Sequence, residues 1–190
     1  MTKEKIRKSM LIKRFAINKK DKKKLDLEAV NLIKRHKYYK SAKRIGIYHP
    51  IKNELDITKL LEENKAFYLP RVVGIEMEYI HTTVKTKLTM SKFRILEPKY
   101  KLKKETPELL IVPALAVDNK FNRVGYGKGF FDRYIKKNPK TKTLAIVIDF
   151  QVMKSVPKNN NDMKVHDIIV VPSKDKHEIC LLYTSPSPRD

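Results

Sequence analysis

Three glycines at alternate positions mark the part of this sequence that is best suited to chemistry. Gly125, Gly127 and Gly129 belong to the stretch Arg123-Val-Gly-Tyr-Gly-Lys-Gly-Phe-Phe-Asp132. Glycine has no Cβ and permits positive φ, so backbone N–H groups in such a loop can approach phosphate oxygens closely. The stretch lacks both the Gly-Lys-Ser/Thr ending of a Walker loop and the later third glycine of a dinucleotide fingerprint. We interpret it as a phosphate-binding loop; the alternative is a glycine turn that only packs a helix onto a sheet.

Charged side chains within this loop favour the phosphate interpretation. Lys128 places an ammonium where it could reach β- or γ-phosphate oxygens, and Arg123 offers a forked donor that pairs well with phosphate. Asp132 supplies an oxygen ligand that could hold Mg²⁺ against the same phosphates. We therefore predict Lys128 and Arg123 as catalytic cations and Asp132 as a metal ligand.

Alternating helix and strand patterns indicate the scaffold that positions the loop. Apolar spacing predicts helical structure from Thr2 to about His36, with a break around residues 18–21 where Asp21 is a plausible N-cap. Strands that begin near residues 44 and 66 are expected to end at Pro50 and Pro70. Further helices are predicted at 56–64 and 130–137, and further strands at 77–81, 109–117, 143–148 and 168–171. This alternation indicates an α/β fold with a mostly parallel or mixed central sheet.

Length and composition fit one soluble domain, which we assign to residues 1–179. The chain has 190 residues, of which 41% are hydrophobic and 34% charged. Its longest apolar runs are far below the ~20 residues of a membrane helix, and no secretory signal follows the charged N-terminus. The single cysteine, Cys180, cannot form an internal disulfide. We expect a cytoplasmic monomer without a membrane partner.

The net charge allows a second functional class. The chain has 43 Lys and Arg against 21 Asp and Glu, a net charge of +22, and strongly basic proteins often bind nucleic acid. The lysines are spread along the whole chain, however, with mild clusters at Lys19–Lys24 and Lys99–Lys104 and no basic stripe interleaved with aromatic residues. We favour a general lysine enrichment, with nucleic-acid binding as the alternative.

The last eleven residues, Cys180–Asp190, differ from the rest of the sequence. Lysine is absent there, and two Ser-Pro steps occur together. The string corresponds to one reading frame of an adapter used in sequencing-library preparation. We interpret residues 180–190 as a non-native tail, with an ordinary flexible tail as the alternative, and exclude them from fold prediction.

Two motifs lie next to each other around the glycine loop, Val112-Pro-Ala-Leu-Ala-Val-Asp118 and Asn122-Arg-Val-Gly-Tyr-Gly-Lys-Gly-Phe-Phe-Asp132. Together they resemble the signature of the 5-formyltetrahydrofolate cyclo-ligase family, and further motifs continue the resemblance from Lys3 to about Val171. The resemblance implies a three-layer α/β fold of the NagB/RpiA/CoA-transferase-like type. It also implies ATP- and Mg²⁺-dependent conversion of 5-formyltetrahydrofolate, with or without a polyglutamate tail, into 5,10-methenyltetrahydrofolate, ADP and phosphate.

The resemblance also implies roles for residues outside the loop. Lys3-Glu-Lys-Ile-Arg7 resembles the family's Lys-x-x-x-Arg, which contacts ATP phosphates in those enzymes, and Asn161-Asp-Met-Lys164 resembles a late motif whose aspartate, here Asp162, helps to hold magnesium. The segment 48–54 resembles the part that lines the folate pocket. The implied substrate-binding residues are His49, Glu54 and Tyr126. The implied ATP-binding residues are Lys3, Arg7, Arg123, Val124, Gly125, Tyr126, Gly127, Lys128, Gly129, Phe130 and Phe131.

Two departures from the family pattern concern the folate pocket rather than the phosphate machinery. Relatives usually carry an aromatic-Tyr pair where this chain has Phe130-Phe131, and they often carry glycine where this chain has Arg94. A non-catalytic folate-binding protein on the same fold is a further alternative. It would bind folate tightly without releasing ADP.

Overall fold

The computed structural model describes residues 1–99 and 103–173 of the chain. The segment interpreted as a non-native tail, residues 180–190, lies outside the described residues. Within the described ranges, no helix is both long and apolar enough to cross a membrane.

The helices confirm the predicted break near residue 18 but not the predicted cap. Asn18, rather than Asp21, is the N-cap of the second helix, because its Oδ1 accepts the N–H of Asp21 at 2.9 Å. Asp21 instead lies in the first turn, where a negative charge is favourable. The described helices are α1 (Lys3–Phe15), α2 (Lys19–Arg35), α3 (Lys37–Ser41) and α4 (Phe130–Lys137), with 3-10 turns at Thr58–Glu62 and Asp149–Gln151.

The strands form one larger sheet and two small ones within the described ranges. They are β1 (Arg44–Gly46), β2 (Ala66–Val73), β3 (Glu76–Thr82), β4 (Leu88–Met90), β5 (Leu96–Pro98), β6 (Leu109–Pro113), β7 (Ala116–Asp118), β8 (Arg123–Val124), β9 (Lys142–Ile148), β10 (Val152–Met153) and β11 (Asp167–Val171). The larger sheet has the order β11-β9-β6-β1-β2-β3. Its pairs are parallel except for β2 with β3. The predicted α/β fold with a mostly parallel sheet is confirmed.

Helices cover both faces of the larger sheet because successive strand residues point to opposite sides. On one face, Ile111 of β6 shares a buried core with Ile33 of α2. On the other face, Leu110 of β6 shares a core with Ile135 of α4. Ile6 of α1 is fully buried in a third core beside β7 and β8. This third core holds the start of α1 next to the glycine loop.

The apolar run 109–117, predicted as one buried strand, is divided between two sheets. β6 ends at Pro113, and β7 begins at Ala116 in the small sheet with β8 and β10. The side-chain amide of Gln151 donates to the carbonyls of Ala114 and Leu115 at 2.8 and 3.0 Å. These bonds satisfy the backbone where the chain leaves the sheet.

Three other boundaries differ from the sequence predictions. β1 ends at Gly46 rather than at Pro50. β2 continues through Pro70 to Val73, because β1 has already ended opposite Tyr68 and a missing N–H is tolerated at a free edge. The helix predicted at 56–64 is only the short 3-10 turn. Asp56 accepts both the N–H and the hydroxyl of Thr58, and such local side-chain bonds compete with a regular helix.

Candidate active site

A cavity of about 720 Å³ lies beyond the carboxyl ends of β1, β2 and β6. His49 follows β1, Val72 lies near the end of β2, and Pro113 ends β6; all three line the cavity. Open α/β sheets bind their ligands at this edge. The residues singled out from the sequence all line this cavity, namely Lys3, Arg7, His49, Glu54, residues 123–132 and Asp162.

The glycine loop, residues 125–129, leads from β8 into α4. Two of its three glycines have the positive φ that the sequence pattern predicted. Gly127 has φ 90° and Gly129 has φ 70°, whereas Gly125 has no positive φ. A Cβ at Gly127 would lie 3.0 Å from Nη2 of Arg7, so glycine permits a close approach there. No described side chain caps α4 at Gly129. Backbone N–H groups at the start of α4 are therefore free for an anion.

The start of α1 forms one wall of the cavity together with this loop. Lys3 and Arg7 lie one turn apart on the same face of the helix. Arg7 donates from Nε to the Gly125 carbonyl at 2.8 Å, and Lys3 forms an ion pair with Asp162. The first contact joins residues that are 118 positions apart in the chain, and the second joins residues that are 159 positions apart. The motifs that were separate in the sequence are thus adjacent in space.

Two carboxylates, Asp132 and Asp162, lie close together beside these cations. Asp132 Oδ1 accepts hydrogen bonds from Nη2 of Arg123 and from the N–H of Met163, both at 2.9 Å, and Met163 follows Asp162 in the chain. Burial alone would raise the pKa of Asp162, but the hydrogen bond and charge of Lys3 lower it below its usual value. Within the described residues, no cluster of three potential metal-ligating side chains exists. Any metal held here would therefore draw its other ligands from substrate and water.

Arg123 is a buried cation, only 6% exposed, on the wall behind the loop. Burial lowers the pKa of its guanidinium, and the charge of Asp132 opposes that shift. The guanidinium lies 5.6 Å from the centre of the Phe131 ring, and its Nε has no hydrogen-bond partner among the described residues. A buried donor without an acceptor is costly, so this wall favours an added acceptor such as a phosphate oxygen or water.

Glu54 is a buried carboxyl group on another side of the cavity. It is 5% exposed; Oε2 accepts the N–H of Ile51 at 2.9 Å, whereas Oε1 has no partner among the described residues. Burial raises the pKa of Glu54 to about 7, although the Ile51 N–H and the charge of Arg14 both oppose the shift. The unpaired oxygen could accept from an N–H group of a ligand, or donate to an acceptor when protonated.

Arg14 is a component of the site that was not predicted from the sequence. It is only 2% exposed, and its Nη2 donates to the carbonyls of Ile51 and Lys52 and to the hydroxyl of Tyr126, at 3.1, 2.7 and 3.1 Å. Arg14 therefore ties α1 to the turn that carries Glu54. Its position seven residues after Arg7, on the same face of a predicted helix, was the available signal.

The β4–β5 hairpin is a second component that was not predicted. It brings three residues to the cavity, Phe93, Ile95 and Glu97. The hairpin is attached to β2 through Glu97, whose Oε1 accepts the N–H of Val72 at 3.3 Å. Its turn is held by Ser91, whose hydroxyl oxygen accepts two backbone N–H groups within the turn at 3.3 Å.

The two departures from the family pattern have clear structural settings. Arg94 lies in the β4–β5 turn with φ 58°, a left-handed conformation that glycine adopts without strain. Phe131 packs against the guanidinium of Arg123, and the rings of Phe130 and Phe93 form an edge-to-face contact with 5.4 Å between centroids. Both phenylalanines therefore line the cavity through ring contacts, without a phenolic hydroxyl.

Cations from α1, β8 and the glycine loop face two carboxylates in one cavity, which also has an apolar side. Phosphate-bearing ligands and their metal ions require this combination of charges. The fold and the cavity together define the class as an α/β protein with a pocket suited to a polyanion beside a less polar ligand.

Comparison with known proteins identifies the family. The model of the 5-formyltetrahydrofolate cyclo-ligase family matches residues 1–171. A 5-formyltetrahydrofolate cyclo-ligase of Haemophilus influenzae is 28% identical over 155 residues, which cover 75% of this chain and 81% of that protein. The Mus musculus enzyme is 26% identical over 158 residues, which cover 70% and 76%. The solution structure of a 5,10-methenyltetrahydrofolate synthetase from Aquifex aeolicus has a TM-score of 0.78 and 28% identity, and covers 92% of this chain and 91% of its own. The chain belongs to the 5-formyltetrahydrofolate cyclo-ligase family.

Proposed function

We propose that this protein converts 5-formyltetrahydrofolate into 5,10-methenyltetrahydrofolate in a reaction that consumes ATP, requires Mg²⁺ and releases ADP and phosphate. The observation that carries the proposal is one cavity with two kinds of wall. One wall presents cations and two aspartates, and the other presents apolar side chains and the buried Glu54. Family membership supports the assignment of the substrate.

The chemistry explains why a phosphate site must adjoin a folate site. The formyl oxygen of the substrate is a poor leaving group, so it first accepts the γ-phosphoryl group of ATP, and ADP leaves. The N10 amine then attacks the activated formyl carbon, loses its proton and forms the new C–N bond. The C–O bond breaks, and phosphate departs with the former formyl oxygen. Such a sequence depends on positioning and charge neutralisation more than on a strong base.

The cationic wall supplies that neutralisation. Arg7 contacts the glycine loop, Lys128 is part of it, and Arg123 precedes it. The start of α4, which has no side-chain cap, lines the same cavity and adds backbone N–H donors. We propose that Lys128 and Arg123 bind the oxygens of the transferred phosphoryl group. Their ammonium and guanidinium groups would stabilise the negative charge that develops there in the transition state.

Asp132 and Asp162 fit the requirements of Mg²⁺. Each accepts its hydrogen bonds from described residues through one carboxylate oxygen, Oδ1 of Asp132 and Oδ2 of Asp162. The second oxygen of each carboxylate therefore remains for a cation. Magnesium at phosphoryl-transfer sites typically takes one or two carboxylates and completes its shell with phosphate oxygens and water. When bound, Mg²⁺ would neutralise phosphate charge and hold ATP in register.

The other wall suits the folate. Phe93 and Ile95 offer apolar surface to a flat ring system, and Glu54 offers an unpaired oxygen to ring N–H groups. His49 and Tyr126 line the cavity near this acid, and we assign them to the substrate as well. This arrangement would place the formyl group between the ring site and the phosphate site.

A spectrophotometric assay tests the proposal, because the methenyl product absorbs in the near ultraviolet where the formyl substrate does not. Purified protein with Mg-ATP and 5-formyltetrahydrofolate should produce this signal, and omission of ATP should abolish it. Lys128→Met should lower the rate at least a hundredfold, whereas Lys136→Met, a matched change at an exposed site on α4, should not. Folate binding without ADP release would refute the proposal in favour of a non-catalytic folate-binding protein.

A further inference from the structure

Arg133, in the first turn of α4, connects three segments around the glycine loop. Its Nη2 donates to the Lys128 carbonyl and its Nε to the Ile75 carbonyl in the β2–β3 turn, both at 2.9 Å. Its guanidinium also lies over the Phe130 ring, 5.3 Å from the centroid. One side chain thus holds the loop, the β2–β3 turn and the start of α4 in a fixed arrangement.

The backbone of the loop passes close to this guanidinium. Gly129 has φ 70°, and a Cβ there would lie 2.7 Å from Nη1 of Arg133. The planar guanidinium of arginine can donate hydrogen bonds in two directions and stack on an aromatic ring at the same time. The ammonium group of a flexible lysine side chain cannot reproduce that geometry. The position therefore requires arginine rather than a positive charge alone.

Arg133 is not among the residues that line the cavity, but two of the residues that it contacts are. Lys128 and Phe130 both line it, and Phe130 also meets Phe93 of the β4–β5 hairpin. We propose that Arg133 is a positioning residue for the nucleotide, which keeps Lys128 and the start of α4 in the conformation that binds phosphate. This inference rests on the proposed ATP-dependent function, because it assigns the glycine loop to ATP.

Loss of Arg133 should weaken the binding of ATP more than it affects the binding of folate or the rate of the chemical step. Without its two hydrogen bonds the loop would adopt the binding conformation for only a fraction of the time, and the apparent affinity falls by that fraction. Two hydrogen bonds, each with a modest net contribution, correspond to a change on the order of tenfold. ATP that does bind would restore the loop, so the turnover number should fall less than about threefold.

The experiment compares wild type, Arg133→Met, Arg133→Lys and the control Lys136→Met, which removes an exposed charge from the same helix. The Kd of Mg-ATP is measured by calorimetry, the KM values of ATP and 5-formyltetrahydrofolate by the absorbance assay, and the Tm by calorimetric melting. For Arg133→Met, Kd and KM for ATP should rise about tenfold while the folate KM stays within twofold of wild type. Arg133→Lys should give about a threefold rise, and it supplies the test if the methionine variant does not fold.

Two results would overturn the inference. One is an ATP affinity within twofold of wild type in the Arg133 variants, even if the Tm falls, because the residue would then be structural only. The other is an equal rise in both KM values, which would indicate a general distortion of the cavity. Inactive wild-type protein would refute the proposed function, and the calorimetric Kd would still decide the role of Arg133.

Discussion

The buried carboxyl of Glu54 makes a quantitative prediction about how stability depends on pH. Its pKa is about 7 in the folded protein, against an ordinary value of 4.5. An acid whose pKa is raised by folding holds its proton more tightly in the folded state. The resulting stabilisation is fully present below pH ~4.5 and is lost as the pH rises to ~7. At about 1.4 kcal/mol for each pKa unit, the loss between pH 5 and pH 8 is roughly 2 to 3 kcal/mol.

Glu54→Gln isolates this contribution, because the amide has nearly the same shape and does not titrate. Urea denaturation of both proteins at pH 5, 6, 7 and 8 gives their free energies of unfolding. The variant should gain roughly 2 to 3 kcal/mol relative to wild type between pH 5 and pH 8, most of it below pH 7. The other titrating groups are common to both proteins and cancel in the difference. A difference that does not change with pH would refute the assignment of a raised pKa to Glu54.

Three further substitutions test other parts of the structure. Asp162→Asn should raise the Mg²⁺ concentration for half-maximal activity at least tenfold, as expected for a lost ligand; an unchanged magnesium titration would contradict that role. Gly127→Ala should raise the KM for ATP about tenfold, because φ is 90° and the new Cβ would press on Arg7 at 3.0 Å; steady-state kinetics with an unaltered KM would count against it. Gly46→Ala should cost about 1 to 3 kcal/mol in urea denaturation, because the Cβ would lie 2.8 Å from atoms of both Leu110 and Tyr79; an unchanged midpoint would show that the core yields at no cost.

The sequence predicted the glycine loop and its immediate surroundings well, because the relevant signals are local. Positive φ at Gly127 and Gly129 and the start of α4 at Phe130 follow from residue types within a few positions. The contact between Arg7 and the loop could not be derived from spacing alone, since the two lie 118 residues apart. Resemblance to a family supplied that link.

Other features depend on tertiary context that no local pattern contains. β2 passes through Pro70 because its neighbour has already ended, which only the register of the sheet reveals. The β4–β5 turn places Arg94 at φ 58°, a conformation that an arginine does not suggest. The cap of α2 is a different case, because Asn is a residue type preferred at helix N-caps, and Asn18 is therefore a start signal that can be recognised in the sequence.

The burial and the raised pKa of Glu54 also could not be predicted from the sequence. A glutamate in a polar segment is normally solvated, and its burial here results from α1 packing across the turn through Arg14. The fold therefore raises the pKa of Glu54 and also forms the side of the cavity on which Glu54 lies. The sequence could identify the residue, but it could not show that Glu54 has an unpaired oxygen facing buried surroundings.

The most direct test of the central claim is the ratio of ADP released to methenyl product formed, measured in one reaction mixture with Mg²⁺, ATP and 5-formyltetrahydrofolate. Because the proposed reaction transfers one phosphoryl group for each ring closure, one ADP should appear for each methenyltetrahydrofolate, and neither should form without the other substrate. Ring closure without ADP, or ADP release that does not depend on the folate, would contradict an ATP-dependent cyclo-ligase.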